Sequence, residues 1–145
     1  MRRSWVVAVG LLLAAGCTGP VRSYGVYAAK AGQTAATVAS AAQTALLATD
    51  AARGAKAYGR YLTQVLAEAE DDAGAAQGTF DAIQPPDRRA DELRGRLDEL
   101  LTQATGALAD LRIAARRGRF AELTELARPL EKVAGELDDF AEAHG

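Results

Sequence analysis

Apolar residues recur every three or four positions through almost the whole chain after residue 23. This spacing places apolar side chains on one face of an α-helix. No stretch alternates apolar and polar residues with a period of two, and β-branched residues are sparse, so no strand pattern is found. Alanine, leucine, glutamate and arginine dominate, and all of them favour helix. The sequence therefore predicts an all-α fold.

A first helix is predicted at about residues 24–49, with Ser23 as its cap. Alanine fills nearly every core position of a seven-residue repeat there. Residues 31–49 carry no charge, and we expect a helix without charges on any face to pack on several sides. Beside the alanine stripe runs an uncharged polar stripe made of Gln33, Thr37, Ser40 and Thr44.

A second helix is predicted at about residues 55–83. The apolar phase slips near Gly54, which favours a turn there. The alternative is one unbroken helix of about 90 Å through both segments. Pro85 and Pro86 end the second helix, because proline lacks an amide proton and disfavours helix in the residue before it.

The third and fourth helices are predicted at about residues 87–117 and 119–143, with Gly118 between them. Both carry a broad leucine stripe. Pro129 falls inside the fourth helix and is expected to kink it or mark a break. Four amphipathic helices with short turns predict an up-down-up-down bundle. The Pro85-Pro86 turn and the C-terminus should then lie at the end where the first helix begins, and the turns near Gly54 and Gly118 at the other.

Residues 1–16 have the layout of a cleaved signal peptide. Two arginines precede an apolar run from Trp5 to Ala15, which is shorter than the roughly 20 residues that span a bilayer. Small residues follow and end at Cys17, the single cysteine of the chain. A lone cysteine excludes an intramolecular disulfide.

Residues 13–17, LAAGC, resemble the lipobox of bacterial lipoproteins. Ala15 and Gly16 match its small-residue positions, whereas Ala14 stands where leucine is most common. The resemblance implies cleavage between Gly16 and Cys17, and a diacylglyceryl group on the Cys17 sulfur, often joined by an amide-linked acyl chain such as palmitate. Two or more acyl chains hold a protein stably on a membrane. Residues 17–23 would then be the lipidated cysteine and a short tether, and the protein would be exported to the outer face of the cell membrane.

The general layout is similar to that of small alanine-rich helical lipoproteins of actinobacteria. The resemblance covers the signal, Gln84-Pro85-Pro86 and the leucine-rich hairpin from Leu93 to Leu137. It implies no assigned activity, so no functional residue beyond Cys17 is carried over.

Composition argues against several classes of function. The net charge of −2 argues against nucleic acid as a partner. His144 is the one histidine and lies next to the last residue, so neither a catalytic triad nor a histidine metal site is expected. No Glu-x-x-His pair of a two-metal bundle occurs. We expect no enzyme, no metal site and no cofactor.

Three charged or aromatic groups remain as candidate surfaces. An arginine cluster at the third turn would meet an anionic polymer of the cell wall or simply complement the helix end. An acidic run in the second helix would hold a cation or a basic partner, or form a solvated face. Two tyrosine pairs would pack in the core or stack on a ligand ring. Their members are Arg112, Arg116, Arg117 and Arg119; Glu68, Glu70, Asp71 and Asp72; and Tyr24 with Tyr27 and Tyr58 with Tyr61.

The first functional hypothesis is a lipid-anchored helical module that binds another protein of the cell envelope. The alternative is a small-ligand carrier with a pocket between the helices, lined by alanine and tyrosine. The uncharged first helix would also allow pairing with a second copy of the chain.

Overall fold

The structure is a computed structural model that describes residues 22–52 and 59–145. Four α-helices account for most of this part of the chain, and a single turn of 3-10 helix, Phe120–Glu122, precedes the last of them. The α-helices are α1 Tyr24–Ala52, α2 Gly59–Asp81, α3 Arg88–Arg116 and α4 Leu123–His144. The predicted signal peptide, Cys17, most of the tether, the turn at Gly54 and Tyr58 lie outside the described residues.

The helices form the predicted four-helix bundle, and consecutive helices run in opposite directions. The rings of Tyr27 in α1 and Phe80 in α2 lie 5.2 Å apart, which pairs the start of one helix with the end of the next. The amide of Gln43 donates to Asp138 at 2.7 Å, so α1 and α4 are antiparallel as well. Because α1 and α2 pack side by side, a single unbroken helix through both segments is excluded. Helix α1 packs against all three other helices.

The core consists of leucine from α2, α3 and α4 packed against alanine from α1. This confirms the predicted alanine stripe of α1 and the leucine stripes of α3 and α4, with Tyr24, Leu100 and Leu126 half-buried at their margins. The largest fully buried side chains are Tyr27, Leu62, Leu66, Phe80, Leu93, Leu97, Leu101, Leu108, Leu111, Leu123, Leu130 and Leu137. Burial of a leucine side chain stabilises a fold by roughly 1.5–3 kcal/mol, so these helices supply most of the apolar driving force.

Local signals fix the helix ends close to the predicted positions. The Asp87 carboxylate accepts from the backbone N–H of Ala90 at 2.9 Å and caps α3. Gly118 has a φ of +69° and ends α3. The backbone N–H of Arg119 donates to the carbonyl of Ala114, and the backbone N–H of Gly118 donates to the carbonyl of Ala115. These two bonds form a Schellman motif. The Ser23 hydroxyl accepts from the N–H of Val26 at 3.4 Å, as expected of a cap.

Helix α4 runs through Pro129 without a break. Proline at this position removes the bond to the carbonyl of Glu125. Both residues are solvent-exposed, so water can solvate the freed carbonyl. The start of this segment differs from the prediction, because residues 120–122 form 3-10 helix before α4 begins at Leu123.

The bundle ends are arranged as the topology predicts. The guanidinium of Arg89, at the start of α3, lies 3.8 Å from the centre of the Tyr24 ring at the start of α1. The end of α4 meets the same region, since His144 shares a cleft with both residues. Gly59 and Phe120 meet at the opposite end. We call the first of these ends the Tyr24 end and the second the Gly118 end.

Candidate functional site

A groove of about 1010 Å³ lies between α1 and α2 and opens to solvent. Small side chains on both walls leave this space, because alanine, serine and threonine do not reach across to the facing helix. We call it the α1–α2 groove. Its lining is Lys30, Gln33, Thr34, Ala36, Thr37, Ser40, Ala41 and Thr44 from α1, and Val65, Glu68, Ala69, Asp72, Ala75, Ala76, Thr79 and Phe80 from α2, with Ile83 just beyond.

Exposed apolar side chains continue both walls of the groove. Steps of four and three residues lead along α1 through Val26, Lys30, Gln33, Thr37, Ser40, Thr44 and Leu47. The same steps lead along α2 from Tyr61 through Val65, Glu68, Asp72, Ala75 and Thr79. Val26, Leu47 and Tyr61 are 52%, 72% and 65% exposed, and they are the large apolar residues that stand out on the surface of the described chain. A repeat averaging 3.5 residues is the spacing of a seam that receives another helix.

The threonine hydroxyls of the groove are already hydrogen-bonded. The hydroxyls of Thr34, Thr37, Thr44 and Thr79 each donate to the carbonyl four residues earlier, at 2.8–3.0 Å. Such bonds satisfy the hydroxyl within its own helix. A partner that displaces water from the groove therefore leaves these donors paired, and avoids the cost of about 1–3 kcal/mol for each unsatisfied buried group.

Charge is distributed unevenly between the two walls. The α1 wall is neutral apart from Lys30 near the Tyr24 end. The α2 wall carries Glu68 and Asp72 halfway along, and Glu68 accepts from Gln64 at 2.9 Å. The acidic side of the groove is therefore the α2 wall.

A polar cluster behind the groove joins the end of α2 to α3. Arg94 donates to the carbonyl of Asp81 at 2.9 Å and to that of Ile83 at 3.4 Å, and lies 3.3 Å from the Asp81 carboxylate and 3.7 Å from Asp98. A cation at a helix C-terminus satisfies its free carbonyls and complements its dipole. Arg94 thereby fastens the last turn of α2 to α3.

Two neighbours of Arg94 have buried polar atoms with no hydrogen-bond partner among the described residues: the Tyr27 hydroxyl and Oδ1 of Asp98. Burial raises the pKa of Tyr27, and Arg94 opposes that rise. Burial also raises the pKa of Asp98, the charge of Asp81 adds to the rise, and Arg94 again opposes it. Neither Tyr27 nor Asp98 lines the groove. The cluster around Arg94 therefore contributes to the packing of α2 against α3 near the Tyr24 end, and not to the groove surface.

The predicted arginine cluster divides into two parts. Arg112 forms a two-pronged ion pair with Glu70 of α2, through Nε and through Nη2 at 3.2 Å from Oε1. The hydrogen bond from Arg112 to Glu70 and the charge of Glu70 raise the pKa of Arg112. Arg119 pairs with Glu122 at 2.6 Å. Arg116 and Arg117 are exposed at the end of α3, so the outward-facing part of the predicted surface is these two residues.

The other predicted groups also separate. In the acidic run, Glu70 forms the ion pair with Arg112. Glu68 and Asp72 line the groove, and Asp71 is exposed. Tyr27 is fully buried against Phe80, and Tyr24 is half-buried beneath Arg89. Tyr61 is exposed beyond the groove.

Sequence reasoning missed the groove as a site, although the signal was present. The stripe of Gln33, Thr37, Ser40 and Thr44 was recognised, but its apolar extension to Val26 and Leu47 was not. Reading seven-residue steps outward from the polar stripe would have found both.

Within residues 22–52 and 59–145, no helix is both long enough and apolar enough to cross a membrane. Within the same ranges, no three His, Cys, Asp or Glu side chains gather in a way that would hold a metal ion. Comparison of the chain with protein-family models, curated proteins and solved structures gives no match.

Proposed function

We propose that the protein is a lipid-anchored interaction module of the cell envelope, and that the α1–α2 groove binds a helix of another envelope protein. The observation that carries the proposal is the seam of α1, in which the neutral stripe from Gln33 to Thr44 is flanked by exposed Leu47 on one side and by Lys30 and exposed Val26 on the other. A helix that follows this seam would cover Val26 and Leu47, which lie exposed towards its two ends. A groove between two helices that opens to solvent fits an elongated segment better than a small molecule.

The acidic residues of the α2 wall favour a partner helix that carries a positive charge. Glu68 and Asp72 stand on one wall and require a lysine or arginine on the partner. Opposite charges across an interface add mainly specificity and association rate. The proposed partner is therefore a helix with a cationic side chain on the face that meets α2.

The anchor rests on the sequence alone. Residues 13–17 resemble a lipobox, and Cys17 would bear the lipid. Labelling of cells with a palmitate analogue tests this directly. Label should enter the intact chain and be absent from the Cys17→Ala variant; equal labelling of the two would contradict the anchor.

In-cell photo-cross-linking tests the groove. A photoreactive residue is placed at Ser40, inside the groove, and in a matched chain at Gln103, which is exposed on α3. We expect one adduct from position 40 and none from 103. The cross-linked peptide should come from a helical segment with a lysine or arginine.

Charge reversal provides the second control. Asp72→Lys should abolish the position-40 adduct, whereas Asp110→Lys, an exposed aspartate on α3, should preserve it. Loss of the adduct in both variants, or in neither, would contradict docking in the groove. An adduct of two copies of this chain would instead identify a dimer. A ligand that raises the melting temperature without any adduct would favour the carrier alternative.

A further inference from the structure

A second cleft, of about 600 Å³, opens at the Tyr24 end of the bundle. Three helices contribute to it: Tyr24 from α1, Arg89 and Arg96 from α3, and His144 from α4. It lies on a different side of α1 from the α1–α2 groove, since the two share no lining residue.

The two arginines present free charge to this cleft. They stand seven residues apart, two helical turns, and therefore on the same face of α3. In the described part of the chain neither guanidinium lies within ion-pair distance of a carboxylate, whereas Arg88 and Arg94 of the same helix do. The guanidinium carbon of Arg89 lies over the Tyr24 ring, 3.8 Å from its centre, and this cation–π contact helps to hold Arg89 at the cleft.

His144 completes the cationic side of the cleft. Its ring lies 4.6 Å from that of Phe140. Burial lowers the pKa of His144, and the charges of Arg96 and Arg89 lower it further. Two carboxylates, those of Glu92 and Glu99, also line the cleft. Glu92 forms an ion pair with Arg88, in which Oε1 lies 3.3 Å from Nε.

We propose that this cleft binds a phosphate group, which accepts hydrogen bonds from Arg89 and Arg96 and contacts the imidazole of His144. A guanidinium donates two parallel N–H bonds to phosphate oxygens, and a tetrahedral phosphate offers enough oxygens for both arginines. The same group occurs in a soluble phosphate compound and in the headgroup of a membrane phospholipid. The headgroup source rests on the proposed anchor, because Cys17 precedes Tyr24 by seven residues and would hold this end against the membrane.

The single histidine of the chain provides the readout. The full chain, without a histidine tag and in neutral detergent, is titrated with inorganic phosphate while the ring signals of His144 are followed by NMR. We expect a saturable shift and a rise in the pKa of His144, because a bound anion offsets the two arginine charges. Absence of a saturable shift would overturn binding of the free ion.

Charge-matched variants distinguish the cleft from general screening. Arg89→Gln and Arg96→Gln should each weaken phosphate binding about tenfold, which corresponds to about 1.4 kcal/mol. Arg116→Gln removes the same charge at the Gly118 end and should leave binding unchanged. Equal weakening in all three variants would contradict the proposed site. Circular dichroism melting confirms that each variant is folded.

Nanodiscs separate the two sources of phosphate. The full chain is placed in discs of phosphatidylcholine alone or with phosphatidylglycerol. A higher pKa of His144 in the anionic discs, absent in Arg96→Gln, would identify a lipid headgroup. Binding of inorganic phosphate without any effect of the anionic lipid would identify a soluble ligand. Failure of both probes would overturn the proposal, while the palmitate label reports on the anchor independently.

Discussion

Gly32 of α1 lies directly against the backbone of His144 at the end of α4. A Cβ atom added at Gly32 would stand 2.9 Å from the carbonyl carbon of His144 and 3.0 Å from the amide nitrogen of Gly145. Backbone cannot swing aside as a flexible side chain can, so only a residue without a side chain permits this approach of the two helices.

Gly32→Ala should therefore destabilise the bundle. Overpacking typically costs about 1–3 kcal/mol, which exceeds the gain of up to about 1 kcal/mol from the better helix propensity of alanine. Urea unfolding followed by circular dichroism measures the difference. Gly106→Ala is the control, because nothing lies within 4 Å of its added Cβ, and this variant should be unchanged or slightly more stable. Equal stability of the two variants would contradict the close approach.

Arg94→Met should loosen the junction between α2 and α3. The change keeps the apolar stem of the side chain but leaves the carbonyls of Asp81 and Ile83 without their donor. We expect a loss of about 1–3 kcal/mol. Arg88→Met is the control, since Arg88 is 93% exposed and its pair with Glu92 should contribute less than about 1 kcal/mol. Similar losses in both variants would show that Arg94 does not cap α2.

Asp98→Asn should stabilise the protein at neutral pH. Burial and the charge of Asp81 raise the pKa of Asp98 in the folded state, so the protonated form favours folding. That contribution is fully present below the unfolded pKa of about 3.9 and is lost as the pH rises through the folded pKa. The asparagine side chain stays neutral throughout, so its advantage over aspartate should shrink on acidification.

This expectation is checked by measuring the free energy of unfolding of Asp98→Asn and of the unsubstituted chain at several pH values. Asp110→Asn, on the exposed face of α3, should show no such convergence. An advantage of Asp98→Asn that grows as the pH falls would contradict the sign of the shift.

Gly118→Ala should cost about 1–2 kcal/mol, because a left-handed conformation brings Cβ close to the following carbonyl. The φ of +69° at Gly118 is required by the two hydrogen bonds that end α3. Gly118→Asn should cost less, since asparagine tolerates this conformation better than alanine. Thermal melts of the two variants provide the comparison, and a milder effect of alanine than of asparagine would contradict it.

Much of the fold follows from local signals that are readable in the sequence. Pro85 and Pro86 set the boundary between α2 and α3, and Gly118 ends α3, each within two residues of the prediction, whereas α4 begins four residues later than predicted. These positions act through backbone chemistry that does not depend on the rest of the chain. The leucine stripes of α3 and α4 were equally clear, because leucine distinguishes a buried face from a solvated one.

Helix α1 was harder to interpret, since alanine occurs on its buried and its exposed faces. It packs on several sides as expected, yet the neutral stripe through Ser40 remains exposed. The sequence allows Tyr27 either a place in the core or a role in stacking on a ligand. In the structure Tyr27 is fully buried, and its ring packs against Phe80 of α2. The pairing of Arg112 with Glu70 spans 42 positions, and only the register of α2 against α3 determines it.

A pull on the chain before Tyr24 would act along the axis of α1. This helix packs against α2, α3 and α4, so a load along its axis acts on three interfaces together. Each alanine of α1 buries little apolar surface, but a load along the helix axis acts on all of these contacts together. The attachment of the bundle to whatever lies upstream therefore resists force through geometry more than through the strength of any contact.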